Sequence, residues 1–192
     1  MRRVGILGGS FDPPHLGHLA IANFVASDRE LDEIVFVVSH IQWQKVMERE
    51  MLDSRYRLEM VQLAVSELDN CSVSSIEIDR GGESVTLETL ESFHEDDPET
   101  HFELIIGADI ASTLSTWRRS EELEKYADIV VVGRPGFHLI DLEKDFNFVH
   151  VDGPQVDISS EKIRSAVKSG LPIGHLVPER VEDYIRREGL YR

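Results

Sequence analysis

Residues 8–18 read GGSFDPPHLGH and follow directly on the apolar run VGIL at 4–7. Glycines, a serine, an aspartate and two prolines precede two histidines spaced three apart. Gly8 and Gly9 permit close backbone approach to a ligand, and Pro13 and Pro14 pin a turn that cannot continue a strand. His15 and His18 then stand on one face of the first helical turn. A helix N-terminus favours negative charge, so two imidazoles placed there form a donor pair for phosphoryl oxygens. The pair has two other readings. One is a metal site built from Asp12, His15 and His18, a thin ligand set. The other is a structural pair that only caps or solvates the helix start. The agreement of glycines, turn, helix start and preceding strand favours phosphate handling. A dinucleotide fingerprint, G-x-G-x-x-G, is not what the glycines spell: Gly5, Gly8 and Gly9 follow G-x-x-G-G, and Gly17 lies within the helix start.

A loop of this kind needs a strand before it and a helix after it, and the chain alternates the two throughout. Compact apolar runs occur at 4–7, 34–38 and 129–132, with further strand patterns at 73–78, 102–106 and 146–151. Helical spacing occurs at 16–26, 54–68, 86–93, 120–126, 159–168 and 178–187. Strands that are apolar throughout, and not alternately, are covered on both faces. Strands alternating with helices build a parallel sheet. The pattern predicts an α/β fold, a doubly wound, Rossmann-like parallel sheet with helices on both faces, in one domain over 1–192. Ligands of such sheets lie beyond the carboxyl ends of the strands, which points to the residues after Leu7, Val38, Ile106 and Val132. The long polar stretch 40–53 is a candidate lid.

Composition narrows the partners. The 192 residues carry 36 acidic against 20 basic side chains, a formal net charge of -16. That excess works against nucleic-acid binding, whose affinity comes largely from neutralising phosphates with Lys and Arg. A small anion still finds a local positive site inside a negative shell. No apolar run nears the ~18 residues of a membrane span, and the N-terminal one is too short for a signal peptide. The one cysteine, Cys71, excludes an internal disulfide and fits a reducing, cytoplasmic setting.

The stretch GGSFDPPHLGH resembles the G-x-F-D-P-x-H-x-G-H signature of the nucleotidyltransferase superfamily with the His-x-x-His type motif. Near the other end, DISSEKIRS at 157–165 resembles that superfamily's second signature, Ile-Ser-Ser-x-x-Ile-Arg. Between and beyond them, four stretches are similar to the nicotinate-nucleotide adenylyltransferase family: DSRYRLEMVQLAV at 53–65, ESVTLETL at 83–90, the run from Ile105 to Gly136, and the tail LVPERVEDYIRREGLY. The resemblance spans nearly the whole chain. It departs at two places. The family's Pro-Pro-His-Lys segment is here SHIQWQK, which keeps Lys45 without the prolines, and its Ser-Tyr-Thr is Ser84-Val85-Thr86. Both segments face the mononucleotide in that family, so acceptor choice is the open point.

The resemblance implies adenylyl transfer from ATP to nicotinate mononucleotide, giving nicotinate adenine dinucleotide and pyrophosphate in NAD biosynthesis. Mg²⁺ would accompany ATP, with no metal site of the protein's own. The implied catalytic group is His18 on the α-phosphate, His15 on neighbouring oxygens and Arg164 as a cationic fork. ATP would be held by Gly8, Gly9, Ser10 and Phe11 through backbone N–H groups, by Ser159 and Ser160 at its outer phosphates, and by Gly107 and Asp109 at a ribose. Lys45, Thr86, Trp117 and Arg134 would hold the mononucleotide. Each has an ordinary alternative: a helix N-cap for the serine pair and for Asp109, core packing for Trp117, solvation for Lys45 and Arg134. Rival functions are transfer to nicotinamide mononucleotide or phosphopantetheine, and a non-catalytic nucleotide-binding module. Whether the chain forms a homo-oligomer is left open.

Overall fold

The computed structural model describes residues 1–41, 51–133, 146–154 and 156–192. Among these, six parallel strands form one sheet: β1 (Arg3–Gly9), β2 (Glu33–Val38), β3 (Cys71–Ser74), β4 (His101–Gly107), β5 (Asp128–Val132) and β6 (Phe148–Val151), in the order β3-β2-β1-β4-β5-β6. The described helices are α1 (Leu16–Asp28), α2 (Ser54–Val65), α3 (Ile76–Arg80), α4 (Thr86–Asp96), α5 (Ala108–Ala111), α6 (Ser160–Lys168) and α7 (Glu179–Glu188). Two 3₁₀ turns lie at Leu114–Thr116 and Ser120–Lys125. This is the doubly wound α/β fold that the alternation predicts. None of the described helices is long and apolar enough to cross a membrane.

Strand alternation sends neighbouring residues to opposite faces. Val4, Ile6, Val35, Val37, Leu104 and Ile106 pack with Leu87 and Leu90 of α4. Leu7, Ile34, Phe36, Ile105 and Val130 pack on the other face with Ala22 and Val25 of α1 and Val61 of α2. On that face Gly5 is a packing requirement, since a Cβ there would come within 2.8 Å of Leu31, Ile34 and Ile105 side-chain carbons. A third cluster joins Met60 and Ala64 of α2 to Ile163 of α6 and to Val181, Tyr184 and Ile185 of α7. The Tyr184 hydroxyl also donates to Glu59 Oε2 at 2.8 Å. The last third of the chain is thereby fastened to α2.

Strand order reverses at β1, which pairs with β2 on one side and β4 on the other. The crevice beyond the carboxyl ends of β1 and β4 is the switch point where such sheets bind ligands.

Three elements differ from expectation. The strand pattern at 73–78 resolves into β3, which ends at Ser74, and the helix α3. The reason is local. Ser74 Oγ accepts from the Ile76 N–H at 3.3 Å and Ser75 Oγ donates to Asp79 Oδ2 at 2.6 Å, contacts that offer the backbone an alternative to the sheet ladder. The helical pattern at 120–126 is a 3₁₀ turn, and β6 starts at Phe148, two residues later than Phe146.

Candidate active site

Beyond β1 the chain turns through residues 10–15 before α1 begins. Phe11 lies in the left-handed region at φ 47°, and its buried ring rests against Phe36 of β2 with centroids 5.7 Å apart. His18 meets Phe11 edge-on at 5.0 Å and stacks on His15 at 3.7 Å with the planes 24° apart. The imidazoles are the outer members of an aromatic series rooted in the core. His15 is the N-cap of α1 and only 3% exposed, and its backbone N–H donates to His18 Nδ1 at 3.1 Å. A neutral imidazole accepting at Nδ1 carries its proton on Nε2. The hydrogen bond thus assigns His18 a donor on the far side of its ring.

Glycines make room for these rings. A Cβ on Gly9 would lie 3.1–3.2 Å from the Phe11 ring, and one on Gly17 would lie 3.0 Å from His15 Nδ1. Gly8 is different. It belongs to a central strand, yet it is exposed, and a Cβ there would meet nothing within 4 Å. Open space therefore lies over the end of β1, on the face that carries Ile6.

The carbonyl oxygens of the turn are bound by donors from elsewhere in the chain. Ser10 O accepts from Arg57 Nη1 at 2.7 Å, Asp12 O from Arg164 Nη1 at 2.7 Å, and Pro13 O from Ser160 Oγ at 2.8 Å. Arg57 is 1% exposed and donates also to Leu52 O at 2.8 Å and His40 O at 3.0 Å. One buried cation thus ties the turn to the exit of β2 and the approach to α2. Since C=O and N–H of a trans peptide point in opposite directions, holding Ser10 O on Arg57 aims the Phe11 N–H away from it. Asp12 is fully buried, and its Oδ1 accepts from the Tyr191 hydroxyl at 2.7 Å. Three negative dipole ends of the turn are thus held by protein donors.

The two ends of the chain meet at this turn. Ser160 and Arg164 reach it directly, and Leu16 N–H donates to Leu176 O at 2.9 Å. Ser159 behaves as an ordinary N-cap, its hydroxyl accepting from the Lys162 N–H at 3.2 Å. The Ser160 hydroxyl and one Arg164 nitrogen, expected on phosphates, hold loop carbonyls here.

Gly107 ends β4 and is the N-cap of α5. Asp109 follows in its first turn and folds its carboxylate back over Gly107, where a Cβ would lie 2.5 Å from Oδ1. Thr86 opens α4. Trp117, half-buried, packs on the core beneath α4, so core packing accounts for part of its ring. Arg118 pairs with Glu83 at 2.9 Å, which sets the Trp117 segment beside the one leading to Thr86. Ser84 joins that segment to the exit of β2, accepting from the His40 N–H at 2.8 Å and donating its own N–H to Ile41 O at 2.9 Å. Two groups result. His15, His18, Ser160 and Arg164 gather at the turn, while Thr86 and Trp117 lie on two segments joined by the Arg118–Glu83 pair. Lys45, Arg134 and most of the candidate lid lie outside the described residues.

Sequence reasoning missed Arg57 and Tyr191, and it weighed Asp12 only as a metal ligand. Arg57 had a signal: it shares the buried stripe of α2 with Met60, Val61 and Ala64, the spacing of one helix face. A cation in that register demands partners. Tyr191 had none, because nothing in the sequence ties a C-terminal tyrosine to Asp12. Among the described residues, no group of three or more His, Cys, Asp or Glu side chains is arranged to hold a metal ion.

Comparison with known proteins places the chain in a family and a fold. The cytidylyltransferase-like family model matches residues 6–166. A nicotinate-nucleotide adenylyltransferase of Bacillus subtilis (strain 168) is 37% identical over 191 residues, covering 100% of this chain and 99% of its own. Among solved structures, Plasmodium falciparum nicotinic acid mononucleotide adenylyltransferase complexed with NaAD superposes with a TM-score of 0.84 at 19% identity, over 100% of this chain and 98% of that one. The same enzyme complexed with APC gives 0.82 at 18% identity. The match to the family model, together with full-length identity to the Bacillus enzyme, establishes that the chain belongs to the cytidylyltransferase-like family and, within it, to the nicotinate-nucleotide adenylyltransferases.

Proposed function

We propose that the protein transfers the adenylyl group of ATP to nicotinate mononucleotide, giving nicotinate adenine dinucleotide and pyrophosphate. The observation that carries this reading is the convergence of His15, His18 and the start of α6 on one turn whose carbonyls are held by Arg57, Arg164 and Ser160. Such a turn is built to meet phosphate oxygens.

The reaction needs no nucleophile from the protein. An oxygen of the mononucleotide's phosphate forms a bond to the α-phosphorus while the bond to the bridging oxygen of the departing pyrophosphate breaks. Catalysis is then positioning and charge stabilisation. Alignment supplies ~7–11 kcal/mol in favourable cases, and each well-aimed donor about 3–4 kcal/mol. His18 donates from Nε2 to an α-phosphate oxygen, and His15, stacked on it, serves the neighbouring oxygens. The N–H groups of residues 8–11 face the nucleotide, and the first turn of α6 receives the outer phosphates at its positive end. Arg164 adds charge beside them, and Asp109 accepts from a ribose hydroxyl. Lys45, Thr86, Trp117 and Arg134 contact the mononucleotide. Magnesium would accompany ATP as its counter-ion and would supply charge neutralisation at the phosphates. The reaction belongs to the cytoplasm, with small molecules as its only substrates.

The test is a panel read by pyrophosphate release: ATP and Mg²⁺ with nicotinate mononucleotide, nicotinamide mononucleotide or phosphopantetheine, each repeated in EDTA. Release that is fastest with nicotinate mononucleotide and abolished by EDTA is expected. Release with phosphopantetheine alone reassigns the acceptor. ATP binding without release under any acceptor makes the protein a binding module and overturns the reading.

A further inference from the structure

The Asp12 carboxylate is fully buried directly behind the proposed phosphate-binding turn, and the hydroxyl that reaches it comes from the next-to-last residue of the chain. We infer that Tyr191 is a positioning residue that sets the 10–13 backbone for catalysis by donating its hydroxyl to Asp12. The inference rests on the function proposed above.

Three observations converge. First, the bond is well formed, at 2.7 Å, and its acceptor belongs to a fully buried side chain. Second, Tyr191 at one end of the connection, and the residue preceding Asp12 at the other, are held in an uncommon backbone conformation. Phe11, one residue before Asp12, has φ 47°, and Tyr191 has φ 63°. Non-glycine residues keep the left-handed region only where surrounding contacts over-determine it. At Tyr191 the chain leaves α7 through Gly189 at φ 65°, with the Leu190 N–H bound to Ile185 O at 3.0 Å, and the phenol packs on the cluster of α2, α6 and α7. Third, Asp12 is held by Tyr191 at its side chain and by Arg164 at its carbonyl. Both holds come from the final third of the chain, and together they fix the peptide between the Phe11 ring and the imidazoles. The phenol is not among the groups assigned to substrate above and acts through the loop.

The experiment uses the full chain and Tyr191→Phe, which keeps the ring and removes the donor, together with a chain ending at Leu190. Two readouts are taken well below the thermal midpoint: amide hydrogen exchange of the 8–18 segment, and steady-state kinetics with ATP and nicotinate mononucleotide. Exchange in 8–18 is expected to rise severalfold in Y191F while β2 to β5 stay protected, and more in the shortened chain. The kcat is expected to fall about 10- to 100-fold with little change in KM for the mononucleotide, the signature of a displaced reacting geometry. A purely structural role would lower the thermal midpoint of Y191F but leave both readouts at their wild-type values, and that outcome overturns the inference. Altered 8–18 exchange in a protein whose wild type releases no pyrophosphate keeps the tether and discards only the reaction. If the shortened chain does not fold, Y191F alone decides.

Discussion

Gly8 and Gly9 are adjacent in sequence and answer to different constraints. Gly9 gives way to the Phe11 ring, 3.1 Å from where its Cβ would be, whereas Gly8 faces open space at the end of a central strand. Gly8→Ala should therefore raise stability by about 0.4–1 kcal/mol through the unfolded chain, while lowering kcat/KM because the new methyl enters the crevice. Urea unfolding and kinetics on the same variant measure both, and a stabilised enzyme with unchanged kcat/KM would place the substrate elsewhere. His18 depends on its neighbours in the same way, its Nδ1 bound to the backbone of His15 and its face against His15's ring. His18→Ala should lower kcat by at least ~10²-fold with modest loss of stability, and near-normal turnover would remove His18 from the mechanism. The pairing of the histidines was legible because their spacing at a helix start sets both rings on one face. The different duties of the two glycines were not, since they depend on where one aromatic ring goes.

Among the elements, α2 does more than cover the sheet. Arg57 projects from its buried side and donates to three carbonyls, at Ser10, His40 and Leu52, that belong to three separate segments. Arg57→Met keeps the methylenes and strands those oxygens, each costing ~1–3 kcal/mol when buried without a partner. Stability should fall by about 3 kcal/mol or more, read as a shift of the urea midpoint, and a change below about 0.5 kcal/mol would mean that the carbonyls find other donors. The sequence shows α2 through its apolar period, and it shows β1, β2, β4 and β5 through short stretches rich in apolar residues, because those signals are local. It misassigns the stretch after Ser74, where serine hydroxyls bind nearby backbone and side chain and convert an apolar strand pattern into α3. The partners of Arg57 are set by tertiary contact, so only its place on the buried stripe could have hinted at a role.

For the molecule as a whole, the fold brings Pro13 and Ser160 together across 147 positions of sequence. That closure was foreseeable only through the two signatures, since no periodicity tells which strand end a distant helix will visit. The lone cysteine stands apart from the site, on the edge strand β3, where burial, with the charge of Glu33 adding, pushes its thiol up to about 11. A raised thiol pKa keeps the neutral form through pH 8, so alkylating reagents at that pH should label native Cys71 far more slowly than the unfolded chain and leave turnover intact. Rapid labelling with loss of activity would put Cys71 in the chemistry. The most direct measurement is a crystal structure with a non-hydrolysable ATP analogue. The triphosphate should lie between the imidazoles of His15 and His18 and the first turn of α6, over the face of Gly8. A nucleotide bound away from the carboxyl ends of β1 and β4, touching one of those ends of the chain or neither, would contradict the account.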